Sequence, residues 1–149
     1  MKISEIMTVD SVVTGIKANS KRLLLQDLSK KAAEVTGIFE RTVFDSLLER
    51  ENLGSTGFGG GTALPHARIP EAKQVYGFFA RLNAPVDFEA IDGKPVDLVF
   101  MLISPEGSGA DHLTALAQAS RILKDEAACA KIRQAAAKEE IYALLNNHE

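Results

Sequence analysis

The sequence predicts an α/β protein, with a small mixed β-sheet sandwiched between helical layers in a single domain over residues 1–149. Two stretches of helical period come first, at 20–37 and 40–52. Two stretches of strand character follow, at 74–82 and 96–104, and helical period returns beyond residue 111. The length of 149 residues is enough to bury one proper core. The hydrophobic content of 46% and charged content of 25% are those of an ordinary globular chain.

Each element has a local reason. Val12–Ile16 (VVTGI) reads as a short strand. In 20–37, Leu24, Leu28, Ala32 and Val35 recur at helical spacing, Ser20 can cap the start and Gly37 can stop the end. In 40–52 the repeating residues are Val43, Phe44, Leu47 and Leu48, with Gly54 beyond the end. In QVYGFFARL (74–82), Tyr76, Phe78, Ala80 and Leu82 share one face, as in a half-buried strand. VDLVFMLIS (96–104) is nearly all apolar and too short for a helix, so it is expected to be a central strand covered on both faces. Asp92-Gly93 marks a turn between them, although Pro95 argues against a tight hairpin. The break SPEGSGAD (104–111) opens a helix expected to face Leu113, Leu116, Ala117, Ser120 and Leu123 inward. Short helices around 127–136 and 139–145 finish the chain.

Several function classes are disfavoured at once. A net charge of −3 offers no basic footprint for nucleic acid. No apolar run reaches the ~18 residues a membrane span requires, and the N-terminus lacks the apolar core of a signal peptide. Cys129 is the only cysteine, which excludes an intrachain disulfide and a thiolate cluster, and the compartment expected is the cytoplasm. No metal site and no cofactor are expected. The histidines lack an i,i+4 pair or an H-x-E spacing.

The chemistry is concentrated in residues 54–70, GSTGFGGGTALPHARIP, where five glycines fall among eight residues and lead to Pro65-His66. Neither nucleotide motif fits: no Lys follows these glycines, and counting G-x-G-x-x-G from Gly57 puts Thr62 in the last place. Pro65 and Pro70 also oppose the helix both motifs need. What remains is a loop able to adopt positive φ, with Pro65 stiffening the backbone before His66. From the residues alone, His66 is equally a presented imidazole or an incidental surface histidine. His112 starts the helix after the 104–111 break, where, taken alone, a structural role is favoured over a chemical one. His148, second from the end, is expected to be frayed. A neutral imidazole is both base and nucleophile near neutral pH, and phosphoryl transfer onto it needs mainly positioning and donors for the phosphoryl oxygens.

RENLGSTGFGGGTALPHARIP, with DHLTALAQASRIL some forty residues further on, resembles the mannitol/fructose-type IIA proteins of the bacterial phosphoenolpyruvate-dependent phosphotransferase system. The likeness is greatest to their nitrogen-regulatory branch and covers nearly the whole chain, which implies one type-2 IIA domain over 1–149. By position, the resemblance makes His66 the phosphorylated histidine and His112 the second active-site histidine. It places Arg50 near the phosphoryl group, Thr56 as a hydroxyl contact, and Arg68 against partner or phosphate. For the two arginines, a merely solvated cation stays open. The implied donor is a histidine-phosphorylated phosphocarrier protein (HPr-like), and the implied outputs are regulated proteins such as potassium-handling sensors or transporters. A sugar-specific transport role, passing phosphate to a IIB domain, is the alternative. Two positions depart from the family pattern. Gly60 stands where a polar side chain is usual, and Ala67 where Gly is common. On this reading the glycines form a pliable rim beside His66.

Overall fold

Ser20 and Gly37 bound the first long helix as the sequence predicts. The Ser20 hydroxyl accepts from the Leu23 N–H at 3.2 Å, and Gly37 closes the end in the left-handed region with φ +78°. This helix, α2 (Lys21–Thr36), packs on α3 (Glu40–Asn52). The computed structural model describes residues 1–107 and 109–148, with Phe58 described by its backbone only. Ser108, within the expected 104–111 break, lies outside the described residues.

The sheet is mixed and six-stranded among the described residues. Strands β1 (Val12–Ile16), β5 (Tyr76–Val86) and β6 (Val96–Ser104) lie side by side, parallel and then antiparallel. On the far side of β6, β3 (Thr62–Ala63) and β4 (His66–Arg68) pair with it in parallel, one after the other, and β2 (Gly57–Gly59) pairs with β3. The expected small mixed sheet between helical layers is thus observed. Alternation along β6 explains the two cores. Val99, Met101 and Ile103 face α2 and α3, while Leu98, Phe100 and Leu102 face α4 (Gly109–Lys124), α5 (Glu126–Gln134) and α6 (Lys138–Asn146). A short N-terminal helix, α1 (Ile3–Ile6), joins that second layer.

Four details differ from the sequence expectations. Strand β5 is covered on both sides, because Phe79 packs in the second core while the Tyr76–Leu82 face packs in the first. Helix α4 buries His112, Ala115, Ala119, Ile122 and Leu123, while Leu113 is 63% exposed. Val35 lies outside the core at 40% exposure, its place taken by Leu25 and Ser29. His148 is not frayed, since its Nε2 lies 3.0 Å from Asp125 Oδ2 and ties the C-terminus to the start of α5.

Candidate functional site

His66 is presented by a strand, not by a flexible turn. The chain beside β6 runs as β3, breaks at Leu64-Pro65, and resumes as β4 with His66 paired to Leu102. Pro65 has no N–H for a ladder bond, so the break falls there, yet its carbonyl still accepts from the Leu102 N–H at 3.0 Å. Among the described residues β4 pairs with no strand but β6, and past this edge the C-terminal end of α3 and the N-terminal end of α4 enclose a cleft of about 460 Å³. His66, His112, Arg50 and Arg68 all line it, with Ser46, Glu49, Glu106 and Leu53 completing much of the wall. Four of the five residues singled out in the sequence therefore meet in one place.

The two imidazoles are 5.8 Å apart between ring centroids, tilted by 50°. His66 Nδ1 lies 2.8 Å from the Leu64 carbonyl. A carbonyl only accepts, so Nδ1 carries the hydrogen and Nε2 of the neutral ring holds a free lone pair. Burial pushes the His66 pKa below its ordinary value and the Arg50 charge adds to this, against the opposing effects of the Leu64 carbonyl and the Glu51 charge. His112 is buried, with Nδ1 2.7 Å from the Ser104 hydroxyl. Its pKa is lowered to about 4, chiefly by burial, then by the charges of Arg68 and His66. Both rings are neutral at neutral pH.

Arg50 stands in the last turn of α3, where Nη1 donates to the Gly54 carbonyl at 2.9 Å and the cation complements the helix end. Among the described residues neither Arg50 nor Arg68 has a carboxylate within ion-pair distance. The sequence reading missed Ser104 and Glu51. A lone serine at a strand end carries no motif, and Glu51, though inside the RENLGSTG string, has nothing beside it in sequence that marks it as the partner of Thr56.

Thr56 is not brought to the cleft. It is buried, and its hydroxyl donates to Glu51, which also accepts the Thr56 N–H at 3.0 Å and pairs with Lys21 at 2.8 Å. This buried carboxylate has its partners, as a buried charge requires. Through the Thr56 carbonyl, which accepts from the Leu64 N–H at 3.0 Å, it fixes the backbone ahead of His66.

The glycines do not rim the cleft either. They form the β2–β3 hairpin, whose tip at Gly60-Gly61 takes positive φ at both residues, as tight hairpins require. Thr62 pairs with Leu98 and His66 with Leu102, so the hairpin meets β6 about 13 Å further down the strand. There Arg133 donates to the Gly60 carbonyl at 2.9 Å and to Asp97, and Asp92 accepts from the Gly60 N–H at 3.1 Å. Of these glycines, Gly54 is the one that Arg50 holds.

Residues 5–148 match the family described as phosphoenolpyruvate-dependent sugar phosphotransferase system, EIIA 2. A nitrogen regulatory protein of Bradyrhizobium diazoefficiens is 48% identical over 145 residues, covering 97% of this chain and 95% of that one. A nitrogen regulatory protein of Escherichia coli (strain K12) is 33% identical over 150 residues, covering 100% and 92%. The crystal structure of nitrogen regulatory protein IIA-Ntr from Neisseria meningitidis superposes with a TM-score of 0.91 at 34% identity, covering 96% of this chain and 98% of that one.

Proposed function

The chain belongs to the EIIA 2 family of the phosphoenolpyruvate-dependent sugar phosphotransferase system, and from that premise we propose that it is a cytoplasmic phosphocarrier that accepts a phosphoryl group on His66 and regulates partner proteins by its phosphorylation state. The observation that carries this reading is the free Nε2 lone pair of a neutral His66 in a cleft lined by two guanidinium groups. Such a site has a nucleophile and the charges for phosphoryl oxygens, with no acid or base needed at the acceptor itself.

The donor is a histidine-phosphorylated carrier protein of the HPr type. As His66 Nε2 attacks in line, the Nε2–P bond forms while the donor's N–P bond breaks, and the donor imidazole leaves with that electron pair. The Nδ1 proton stays on His66, held by the Leu64 carbonyl, so the phosphorylated ring carries a positive charge. That charge keeps the group reactive toward onward transfer. Arg50 and Arg68 hold the oxygens from the two sides of the cleft. Thr56, kept from the cleft by Glu51, supports the backbone and does not bind phosphate.

Regulation is favoured over sugar transport by the nitrogen regulatory relatives, at up to 48% identity over nearly the whole chain. Potassium-handling sensors or transporters are the target class proposed. Incubation with carrier protein, Enzyme I and phosphoenolpyruvate is expected to give an acid-labile label on wild type and none on His66→Ala. Equal labelling of both proteins disproves the assignment. Sugar-dependent loss of the label to a cognate IIB domain would instead establish the transport role.

A further inference from the structure

Ser104 closes β6 and is fully buried, and its hydroxyl touches one polar group among the described residues, Nδ1 of His112 at 2.7 Å. Two arrangements fit that distance. If Nδ1–H donated to the serine oxygen, the serine's own hydrogen would be buried with no acceptor among the described residues, which costs the full desolvation of that donor. If instead the hydroxyl donates to Nδ1, both groups are satisfied. Nδ1 then holds a lone pair, and the neutral ring must carry its hydrogen on Nε2. Because His112 lines the cleft 5.8 Å from the His66 ring, that N–H is a donor available where the phosphoryl oxygens would arrive.

We propose that Ser104 is a positioning residue, whose hydroxyl locks His112 in the Nε2–H tautomer and so makes it a neutral hydrogen-bond donor to a phosphoryl group on His66. This rests on the reading of His66 as acceptor. The two histidines then hold opposite tautomers for opposite tasks. Leu64 puts the hydrogen of His66 on Nδ1 and frees its Nε2 to attack, while Ser104 puts the hydrogen of His112 on Nε2 to donate. A wrongly set His112 would point a lone pair at the anion, a repulsive contact in place of a donor. The tautomer matters because His112, held at a pKa of about 4, is not a cation at neutral pH and cannot donate from both nitrogens.

The test is ring-nitrogen NMR on ¹⁵N-histidine-labelled protein at pH 7.5, with rates of phosphoryl acceptance, for wild type, Ser104→Ala and Ser104→Cys. Wild-type His112 is expected to show the Nε2–H tautomer. Ser104→Ala is expected to give a tautomer mixture and accept phosphate about tenfold more slowly, in line with the effect of partners that orient an imidazole elsewhere. Ser104→Cys, which keeps a weak donor, falls between them. An Nδ1–H tautomer in wild type, or a Ser104→Ala protein matching wild type in both readouts, overturns the proposal even if His66 is phosphorylated normally. If the tautomer responds as expected but wild type accepts no phosphate, the role of Ser104 in setting the ring stands and the phosphocarrier reading falls.

Discussion

Residues 60–66 run from the hairpin tip to His66, and the charged groups at the two ends are handled in opposite ways. At the tip, Arg133 is held by Asp97 at 2.8 Å and by the Gly60 carbonyl at 2.9 Å, and Asp92 accepts the Gly60 N–H. At the other end, Arg50 donates to one backbone carbonyl, and neither it nor Arg68 has a carboxylate partner among the described residues. A guanidinium already paired with a carboxylate is a strut. Two that border a cleft beside neutral imidazoles leave room for a visiting anion. The pairing of the arginines separates structure from chemistry here better than the glycines do.

The largest expected effect tests that distinction directly. Arg50→Ala should slow phosphoryl acceptance by about a hundredfold, the loss of one charge-assisted contact to the transferring group. Arg133→Ala should leave that rate within about twofold and lower unfolding stability by about 1–2 kcal/mol, measured by urea denaturation. Comparable rate losses in both variants would erase the contrast between the two ends.

Acidity sharpens it next. His112 is held neutral in the fold down to about pH 4, while in the unfolded chain it protonates near its ordinary pKa of about 6.5. Between those values the unfolded chain binds more protons, so stability is fully present above about pH 6.5 and declines as pH falls toward 4. Burial lowers the His66 pKa in the same direction. The urea midpoint should therefore drop between pH 7.5 and pH 5, and His112→Gln should flatten that drop. A slope unchanged in His112→Gln would show that the ring is not held neutral by the fold.

How far the sequence could lead is visible in these same residues. Ser20 and Gly37 declared α2, and the unbroken apolar run of 96–104 declared β6, because capping chemistry and two-sided burial leave local marks. The grouping of His66, His112, Arg50 and Arg68 was reached through family resemblance, and the cleft at the sheet edge brings them together. Spacing could not place Thr56, whose hydroxyl is taken by a carboxylate five residues earlier, nor find Ser104, which acts only because β6 ends beneath α4. The glycines misled for a physical reason. Positive φ serves a hairpin tip as well as a pliable loop, and only the register with β6 tells which end of the sheet they occupy.

Substitution at the tip probes the structural end more finely. Gly61 has φ +78°, and a Cβ there would lie 2.8 Å from Arg133 Nη2 and 3.0 Å from Asp97 Oδ1. Gly61→Ala should cost about 1–2 kcal/mol from the left-handed backbone and displacement of that pair. Labelling of His66 should proceed at the wild-type rate, and a matching loss of transfer would mean that the hairpin reaches the cleft after all.

The smallest effect is expected one residue earlier, at Gly60, where the family resemblance implies a polar side chain. Gly60 has φ +66°, but a Cβ there would meet nothing within 4 Å. Asparagine enters the left-handed region more readily than other side chains, so Gly60→Asn should change stability by no more than about 0.5 kcal/mol. Its N–H can still reach Asp92 and its carbonyl Arg133, since both bonds are made by backbone atoms. With the tip well down β6 from His66, a side chain introduced at residue 60 has no path to the phosphoryl group within this chain. The rate of phosphoryl acceptance and the His66 ring signals should both match wild type. A clear change in either would give residue 60 a role at the cleft.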